Sequence, residues 1–154
     1  MQMTGFVVRD AIIPKLRAGT KEAVIREMVE SLRDTVHLQA EDSEEIIKAI
    51  LKRELLGSTG IGQGVAIPHA KHRSVERLMG TVAIAQAGVA FDAQDGEPVY
   101  VFVLLVSPPD KPGDHLRALE ITSRSLHDEN FVRSLRSADS KEKIWELLTA
   151  ASAR

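Results

Sequence analysis

The sequence predicts a single α/β domain with a mixed sheet of about four or five strands and helices on both faces. One observation is the segment Val99–Val106, which is apolar throughout, as in a central strand that is covered on both sides. Another is the presence of five stretches whose apolar residues recur at helical spacing. The chain has 154 residues, the usual size of one domain, so we expect residues 1–154 to fold as a single unit.

The chain begins with a predicted edge strand and a first helix. The short apolar segment Ala11–Ile13 is ended by Pro14, a residue that sheets tolerate at their edges. Thr20 is placed to cap the helix that follows. That helix is expected to bury one apolar face, formed by Val24, Ile25, Met28, Val29 and Leu32.

A second helix is predicted from a capping pattern and a second apolar stripe. Asp42 and Glu45 stand three residues apart, as in a capping box with aspartate in the usual serine or threonine position. The helix is expected to run to about Leu56, with Gly57 as the glycine that ends it. Its predicted buried face consists of Ile46, Ile47, Ile50, Leu51 and Leu55.

Two further strands are predicted before the central one. They are Val65–Ile67 and Thr81–Gln86, both short and rich in apolar residues. Asp95 and Gly96 mark a turn inside the looser connection of residues 90–98. After the central strand, residues 107–113 contain three prolines and predict a rigid loop.

The last part of the chain predicts three helices. Asp114 has the residue type of an N-cap, which places His115 in the first turn of a helix that ends near His127. Two short helices are expected over residues 129–136 and 141–150. Ser140 is placed to cap the last helix, whose apolar stripe consists of Ile144, Leu147 and Leu148.

The most distinctive stretch is a glycine-rich loop that leads into a histidine. It has four glycines within eight positions, followed by the strand Val65–Ile67, by Pro68 and by His69. Proline fixes its own φ and favours an extended conformation in the residue before it, so His69 is expected at the end of a strand on a stiffened backbone. The glycines are Gly57, Gly60, Gly62 and Gly64.

Common phosphate-binding and nucleophile motifs do not account for this loop. No Lys-Ser or Lys-Thr pair follows the glycines, as a P-loop requires, and no GxSxG elbow is present. A Rossmann turn needs a strand before the glycines and a helix after them, whereas the predicted order here is the reverse. Taken alone, the glycines are also compatible with a plain connection between a helix and a strand.

Composition and charge exclude several classes of function. A net charge of −2 offers no electrostatic reason for binding nucleic acid or an anionic membrane. The absence of cysteine excludes disulfides, thiolate chemistry and cysteine-bound zinc. No signal peptide is indicated, and the longest apolar run is far too short to span a membrane, so we expect a cytoplasmic protein without membrane insertion.

The segment Arg53–His69 as a whole resembles the signature of the fructose/mannitol-type (type 2) enzyme IIA domains of the bacterial phosphoenolpyruvate-dependent phosphotransferase system. This family includes the nitrogen-regulatory enzyme IIA proteins. The resemblance extends over about residues 8–150, which it implies to be the core of the domain. Gln63 and Ala70 stand where asparagine and glycine are common in the family, and neither difference removes a charge or a nucleophile.

The resemblance implies a phosphoryl carrier that works through a phosphohistidine. His69 is then the phosphorylated residue, with Nε2 as the accepting atom, and Arg53 and His115 stand at the spacings of the supporting arginine and the second histidine. The implied donor is HPr or a related carrier, and the implied recipient is a IIB domain or a regulatory target protein. The role is thus that of a phosphotransferase component or of a purely regulatory one, with no cofactor and no metal.

The chemistry of the residues agrees with these roles. An imidazole has an unperturbed pKa of about 6.5, so near pH 7 it is neutral and offers one nitrogen as a nucleophile. Arg53 can bind phosphoryl oxygens, and the loop N–H groups of Ser58 and Thr59 can add a backbone anion site. The N-terminal end of a helix disfavours protonation of His115, which suits a neutral donor.

Other interpretations remain open from the residues alone. Arg53 also fits a cation that interacts with the negative end of its own helix. His69, His72 and His115 together have the residue types of a catalytic zinc site in a metal hydrolase. A nitrogen-type regulatory module, acting through phosphorylation-dependent protein binding, is a further reading. We slightly favour this regulator over a sugar-uptake component because no transport segment is attached.

Overall fold

The computed structural model describes residues 1–152 and confirms the predicted fold class. Residues 153 and 154, which the predicted domain also included, lie outside the described residues. Two 3-10 turns, Met3–Gly5 and Arg9–Ala11, precede the regular elements. The helices are α1 (Lys21–Val36), α2 (Ala40–Leu55), α3 (Pro112–Leu126), α4 (Glu129–Ser137) and α5 (Lys141–Ser152). The strands are β1 (Gly60–Gly62), β2 (Val65–Ala66), β3 (His69–Lys71), β4 (Met79–Val89) and β5 (Val99–Ser107).

The central element of the sheet is β5, as its apolar sequence predicts. It pairs in parallel with β2 and β3 and antiparallel with β4, while β1 pairs antiparallel with β2. Helices α1 and α2 cover one face, and α3, α4 and α5 cover the other. Alternate β5 side chains therefore belong to two different cores, and Val103 and Leu105 are fully buried.

The N-terminal segment runs along the outer edge of β4 but does not form the predicted strand Ala11–Ile13. Arg9–Ala11 is a 3-10 turn, and Ile13 forms only an isolated parallel bridge with Ala83. Ile13 exchanges hydrogen bonds with the backbone of Val82 and Ile84. Beyond Pro14 the contact with β4 continues through one hydrogen bond, from the Leu16 N–H to the Ile84 carbonyl at 2.9 Å.

Helix α1 has the predicted cap and core face, since Thr20 accepts a hydrogen bond from the Ala23 N–H and the five apolar residues are buried. The predicted capping box of α2 is wrong. The helix begins earlier, at Ala40, and its N-cap Gln39 makes no side-chain cap. Asp42 therefore lies inside the first turn, where its negative charge still suits the positive end of the helix.

The predicted burial of Leu55 is also wrong, because this side chain is 86% exposed. The buried stripe of α2 continues from Ile47 and Ile50 to Glu54, three and four residues apart, rather than to Leu55. Glu54 can occupy a buried position because its carboxylate has an ion pair and hydrogen bonds there. Gly57 follows the C-cap Leu56, as predicted.

Helix α3 begins at Pro112, with Lys111 as its N-cap, so the prediction of Asp114 as N-cap is wrong. Proline suits the first helical position because its missing N–H would have no partner there. His115 is consequently the fourth residue of the helix. The last helix is capped by Ser140, as predicted, through the Lys143 N–H. Within residues 1–152, no helix combines the length and apolar composition that a bilayer crossing requires.

Candidate active site

His69 lies where the edge of the sheet is interrupted beside β5. Pro68 separates β2 from β3, and both short strands pair in parallel with β5. His69 is therefore the first residue of β3, not the last residue of the preceding strand as predicted. Its backbone is held in register with Leu105, whose N–H donates to the Pro68 carbonyl at 3.0 Å. The proline thus ends one strand and starts the next without displacing the histidine from the sheet.

One ring nitrogen of His69 is occupied by the backbone. Nδ1 lies 2.7 Å from the carbonyl oxygen of Ile67. Because a carbonyl can only accept, Nδ1 carries the hydrogen, and in the neutral ring Nε2 holds the lone pair. The two partners of this hydrogen bond are only two residues apart in the chain. The local backbone conformation therefore selects the tautomer with a nucleophilic Nε2.

The pKa of His69 is lowered from its ordinary value. Partial burial is the largest cause, and it is opposed by the hydrogen bond to Ile67, which favours the charged ring. The positive charge of Arg53 lowers the pKa further, and the nearby carboxylate of Glu54 raises it. With burial dominant, the ring is neutral at pH 7 and able to act as a nucleophile.

The glycine-rich loop folds into a tight hairpin between β1 and β2. The two connecting residues, Gln63 and Gly64, have φ values of 58° and 81°. Two successive positive φ values are the mark of a type I′ turn, which matches the twist of the flanking strands. Asn-Gly is the preferred pair in such a turn, so Gln63 occupies a position that favours asparagine for a conformational reason. Its N–H is held by the Asp95 carboxylate at 3.0 Å.

Arg53 lies in the last turn of α2, and its guanidinium donates to the carbonyl of Gly57 at 2.8 Å. This contact agrees with the interpretation of a cation at the C-terminal end of a helix. Arg53 also acts electrostatically on His69, whose pKa its charge lowers. The two predicted roles are therefore compatible: while in contact with Gly57, the guanidinium is close enough for its charge to lower the pKa of the imidazole.

The loop residues predicted to bind phosphate through their N–H groups, Ser58 and Thr59, make hydrogen bonds within the protein. Thr59 donates its N–H and, through a short hydrogen bond, its hydroxyl to the carboxylate of Glu54. The hydroxyl of Ser58 donates to the carbonyl of Phe91 at 2.9 Å and accepts from the N–H of Gly60. Thr59 could contact a phosphoryl group only by releasing Glu54. The phosphate-binding role of Ser58 and Thr59 stays a prediction.

His115 is brought next to His69 by the packing of α3 on β5. The two ring centroids are 5.4 Å apart, with the planes inclined by 60°. The imidazole of His115 is buried, and Nδ1 forms a short hydrogen bond with the hydroxyl of Ser107 at the end of β5. Burial first, and then the charges of His69 and Lys71, lower the pKa of His115 to about 4. Both rings are thus neutral at pH 7.

His72 lies close in sequence but is turned toward α2. Its Nδ1 accepts from the Ser74 N–H at 3.1 Å, so in the neutral ring the hydrogen is on Nε2. His72 Nε2 lies 2.9 Å from the Glu45 carboxylate. Among the described side chains, the grouping of possible metal ligands is Asp42, Glu45 and His72. The trio of His69, His72 and His115 that a zinc site would need is not brought together.

Two residues of this site were missed by sequence reasoning. Glu54 could have been noticed, because it is a charged residue at the position where the apolar stripe of Ile47 and Ile50 continues. Ser107 has no local signal, since its contact with His115 depends on how the loop after β5 returns to the sheet. Each of them forms a hydrogen bond with a residue that had been predicted to belong to the site.

Comparisons with known proteins agree on one family. The model of the family described as "Phosphoenolpyruvate-dependent sugar phosphotransferase system, EIIA 2" matches residues 6–151. A nitrogen regulatory protein of Bradyrhizobium diazoefficiens is 32% identical over 148 residues, covering 96% of this chain and 95% of that protein. A fructose-specific EIIA component of Haloferax volcanii is 33% identical over 130 residues, covering 84% and 83% of the two chains.

A solved structure has the same fold. The nitrogen regulatory protein IIA-Ntr from Neisseria meningitidis superimposes with a TM-score of 0.83 at 29% identity, and the match covers 94% of this chain and 97% of that one.

Proposed function

Because the chain belongs to the EIIA 2 family of the phosphoenolpyruvate-dependent sugar phosphotransferase system, we propose that it carries a phosphoryl group on Nε2 of His69. The donor is a phosphohistidine on HPr or a related carrier. The recipient is a IIB domain, or a regulatory target that responds to the phosphorylation state. No ligand other than the two partner proteins takes part in this step.

The observation that carries the proposal is the hydrogen bond between His69 Nδ1 and the Ile67 carbonyl. It leaves the lone pair of the neutral ring on Nε2, and the lowered pKa keeps that ring unprotonated. The neighbouring positive charge of Arg53 and the imidazole of His115 can then stabilise the charge on the transferring group. Nucleophile and electrostatic stabilisation are thus held by separate elements, α2, β3 and α3.

The transfer balances without a proton acceptor. The lone pair on His69 Nε2 forms the new P–N bond, while the electron pair of the broken P–N bond returns to the ring nitrogen of the donor. The Ile67 carbonyl accepts from Nδ1–H throughout, and this interaction strengthens as the ring gains positive character. Catalysis is then mainly positioning and electrostatic stabilisation, as is usual for phosphoryl transfer.

A regulatory role and a role in sugar uptake both use this chemistry. Similarity to nitrogen regulatory proteins over nearly the whole chain supports a regulatory output, in which partner binding differs between the free and the phosphorylated protein. Similarity to a fructose-specific EIIA component supports transfer to a IIB partner. Incubating the phosphorylated protein with purified IIB domains would separate them, because only a transfer component should lose its phosphoryl group rapidly.

The central test is phosphorylation from phosphoenolpyruvate by enzyme I and HPr. We expect one acid-labile, alkali-stable phosphoryl group per chain, which His69→Ala should abolish. His72→Ala is the matched control, because this nearby histidine is bonded to Glu45 and Ser74 instead. Undiminished labelling of the His69→Ala protein would overturn the proposal. The proposal would also be overturned if the wild-type protein contained one zinc per chain and a folded His72→Ala protein lost its labelling.

A further inference from the structure

The hydroxyl of Ser107 contacts the second histidine of the site. Ser107 is the last residue of β5 and is 0% exposed, and its Oγ forms a short hydrogen bond with His115 Nδ1. A hydroxyl can donate or accept, and a neutral imidazole carries its hydrogen on either nitrogen. This one contact therefore permits two arrangements of the hydrogens, which differ in what Nε2 of His115 presents to its surroundings.

Counting hydrogen-bond donors distinguishes the two arrangements. If Nδ1 of His115 carried the hydrogen and donated to Ser107, the serine O–H would need another acceptor. Within residues 1–152, His115 Nδ1 is the group that this hydroxyl contacts. A buried hydroxyl that has no acceptor costs about 1–3 kcal/mol. The opposite arrangement, in which Ser107 O–H donates to Nδ1, leaves no buried serine hydrogen without a partner.

We infer that Ser107 is a positioning residue that holds His115 in the tautomer with hydrogen on Nε2. This inference rests on the proposed phosphoryl transfer at His69. The His115 ring lies 5.4 Å from the His69 ring, and Nε2–H is then its remaining hydrogen-bond donor. A neutral N–H stabilises the equatorial phosphoryl oxygens, whereas a lone pair on the same atom would repel them.

The two histidines of the site then carry their hydrogen on different ring nitrogens, because the hydrogen-bond partners of their Nδ1 atoms differ. The Ile67 carbonyl can only accept, so it places the hydrogen of His69 on Nδ1 and frees Nε2 for the phosphoryl group. The Ser107 hydroxyl donates to Nδ1 of His115 and thereby places that hydrogen on Nε2. One ring supplies the nucleophile and the other supplies the donor, although the residue type is the same.

The first test needs no variant and no phosphorylation. The tautomer of each histidine can be read from the ring ¹⁵N shifts and the two-bond ¹H–¹⁵N correlations of the labelled, unphosphorylated protein at pH 7.5 or above. We expect the Nδ1–H form for His69 and the Nε2–H form for His115. An Nδ1–H signature for His115 in the wild-type protein overturns the inference, and it would leave the proposed acceptor role of His69 intact.

The second test asks whether Ser107 acts through His115. Ser107→Ala should give a mixture of His115 tautomers and slow phosphorylation of His69 by about tenfold, the size expected for one hydrogen bond. Ser107→Thr, which keeps the hydroxyl, should restore the Nε2–H signal and most of the rate. Ser107→Ala should have no further effect on the rate in a His115→Ala protein. Equal slowing by Ser107→Ala in the presence and absence of His115 would contradict the inference.

Thr122 provides a matched control on the same helix as His115. Its hydroxyl is buried and has no hydrogen-bond partner within the described residues. Thr122→Val removes this hydroxyl with little change in volume, so both the His115 tautomer and the rate should stay as in the wild type. If Thr122→Val changed both as much as Ser107→Ala, the effect would reflect general loosening of α3, and the specific role of Ser107 would be rejected.

Discussion

The carboxylate of Glu54 holds the backbone N–H and the hydroxyl of Thr59, and thereby ties the last turn of α2 to the start of β1. Lys21, at the start of α1, completes the arrangement with an ion pair at 3.1 Å. The carboxylate is nearly fully buried, whereas Lys21 keeps some contact with solvent. A charged residue inside the helix–sheet interface thus fixes the loop that follows Arg53.

Removing this carboxylate should loosen the loop and reduce stability. Glu54→Ala leaves the Thr59 donors without their buried partner and removes the ion pair of Lys21, so we expect a loss of about 2–3 kcal/mol in the free energy of unfolding. Urea denaturation measures this loss. Glu142→Ala, at an exposed position in the first turn of α5, is the control and should change stability by less than about 0.5 kcal/mol. Equal effects of the two substitutions would contradict the anchoring role.

Arg53 should contribute mainly to the rate of phosphoryl transfer. Arg53→Ala removes a permanent charge that already acts on the His69 ring, and we expect transfer from phospho-HPr to slow by about 100- to 1,000-fold. Arg53→Lys should recover part of the rate, because it keeps the charge but not the planar pair of donors. Rapid-quench measurements give these rates. Arg77→Ala, an exposed arginine, serves as control. A transfer rate in Arg53→Ala equal to that of the control would exclude a role for the guanidinium.

The buried histidine of α3 should make the fold sensitive to acid. The pKa of His115 is lowered from 6.5 to about 4 by burial and by the charges of His69 and Lys71. Below pH 6.5 the unfolded chain binds a proton that the folded chain does not, so stability falls as the pH falls toward 4 and this contribution then levels off. The loss from this one group is about 3 kcal/mol.

Urea unfolding at a series of pH values tests this expectation. A His115→Gln protein should lack this part of the acid sensitivity between pH 6.5 and 4, even if its stability at pH 7 is lower. Identical pH profiles for the wild type and His115→Gln would show that the acid sensitivity comes from other groups.

The turn between β1 and β2 should respond to substitution according to its φ values. Gln63→Asn places in the left-handed region a residue that adopts it more easily, and we expect a gain of a few tenths of a kcal/mol. Gly64→Ala should lose about 1–2 kcal/mol, because φ is 81° and the new Cβ would lie 3.3 Å from Tyr100. Thermal unfolding of the two variants gives the comparison. A loss of stability in Gln63→Asn together with a gain in Gly64→Ala would argue against a type I′ turn here.

Local patterns were sufficient for much of this protein. The apolar segment around Val103 identified the central strand, and the residues around Thr20 and Ser140 identified the starts of two helices. The segment from Arg53 to His69 pointed to the candidate site before any distance was known. The strand and the helix starts depend on residues only a few positions apart, so the chain's own periodicity and backbone constraints decide them, whereas the candidate site followed from the resemblance of the Arg53–His69 segment to a known family.

Only the tertiary structure decided which groups share the buried space around His69. The apolar spacing of α2 could not show that Glu54 is buried and Leu55 exposed, because the exchange depends on Lys21 and Thr59 from other elements. Local patterns also could not show that Ser107 contacts His115, because α3 begins earlier than Asp114, the residue that had been predicted as its cap. A buried polar group is stable only where a partner meets it, and the chain path through the whole fold determines where that occurs.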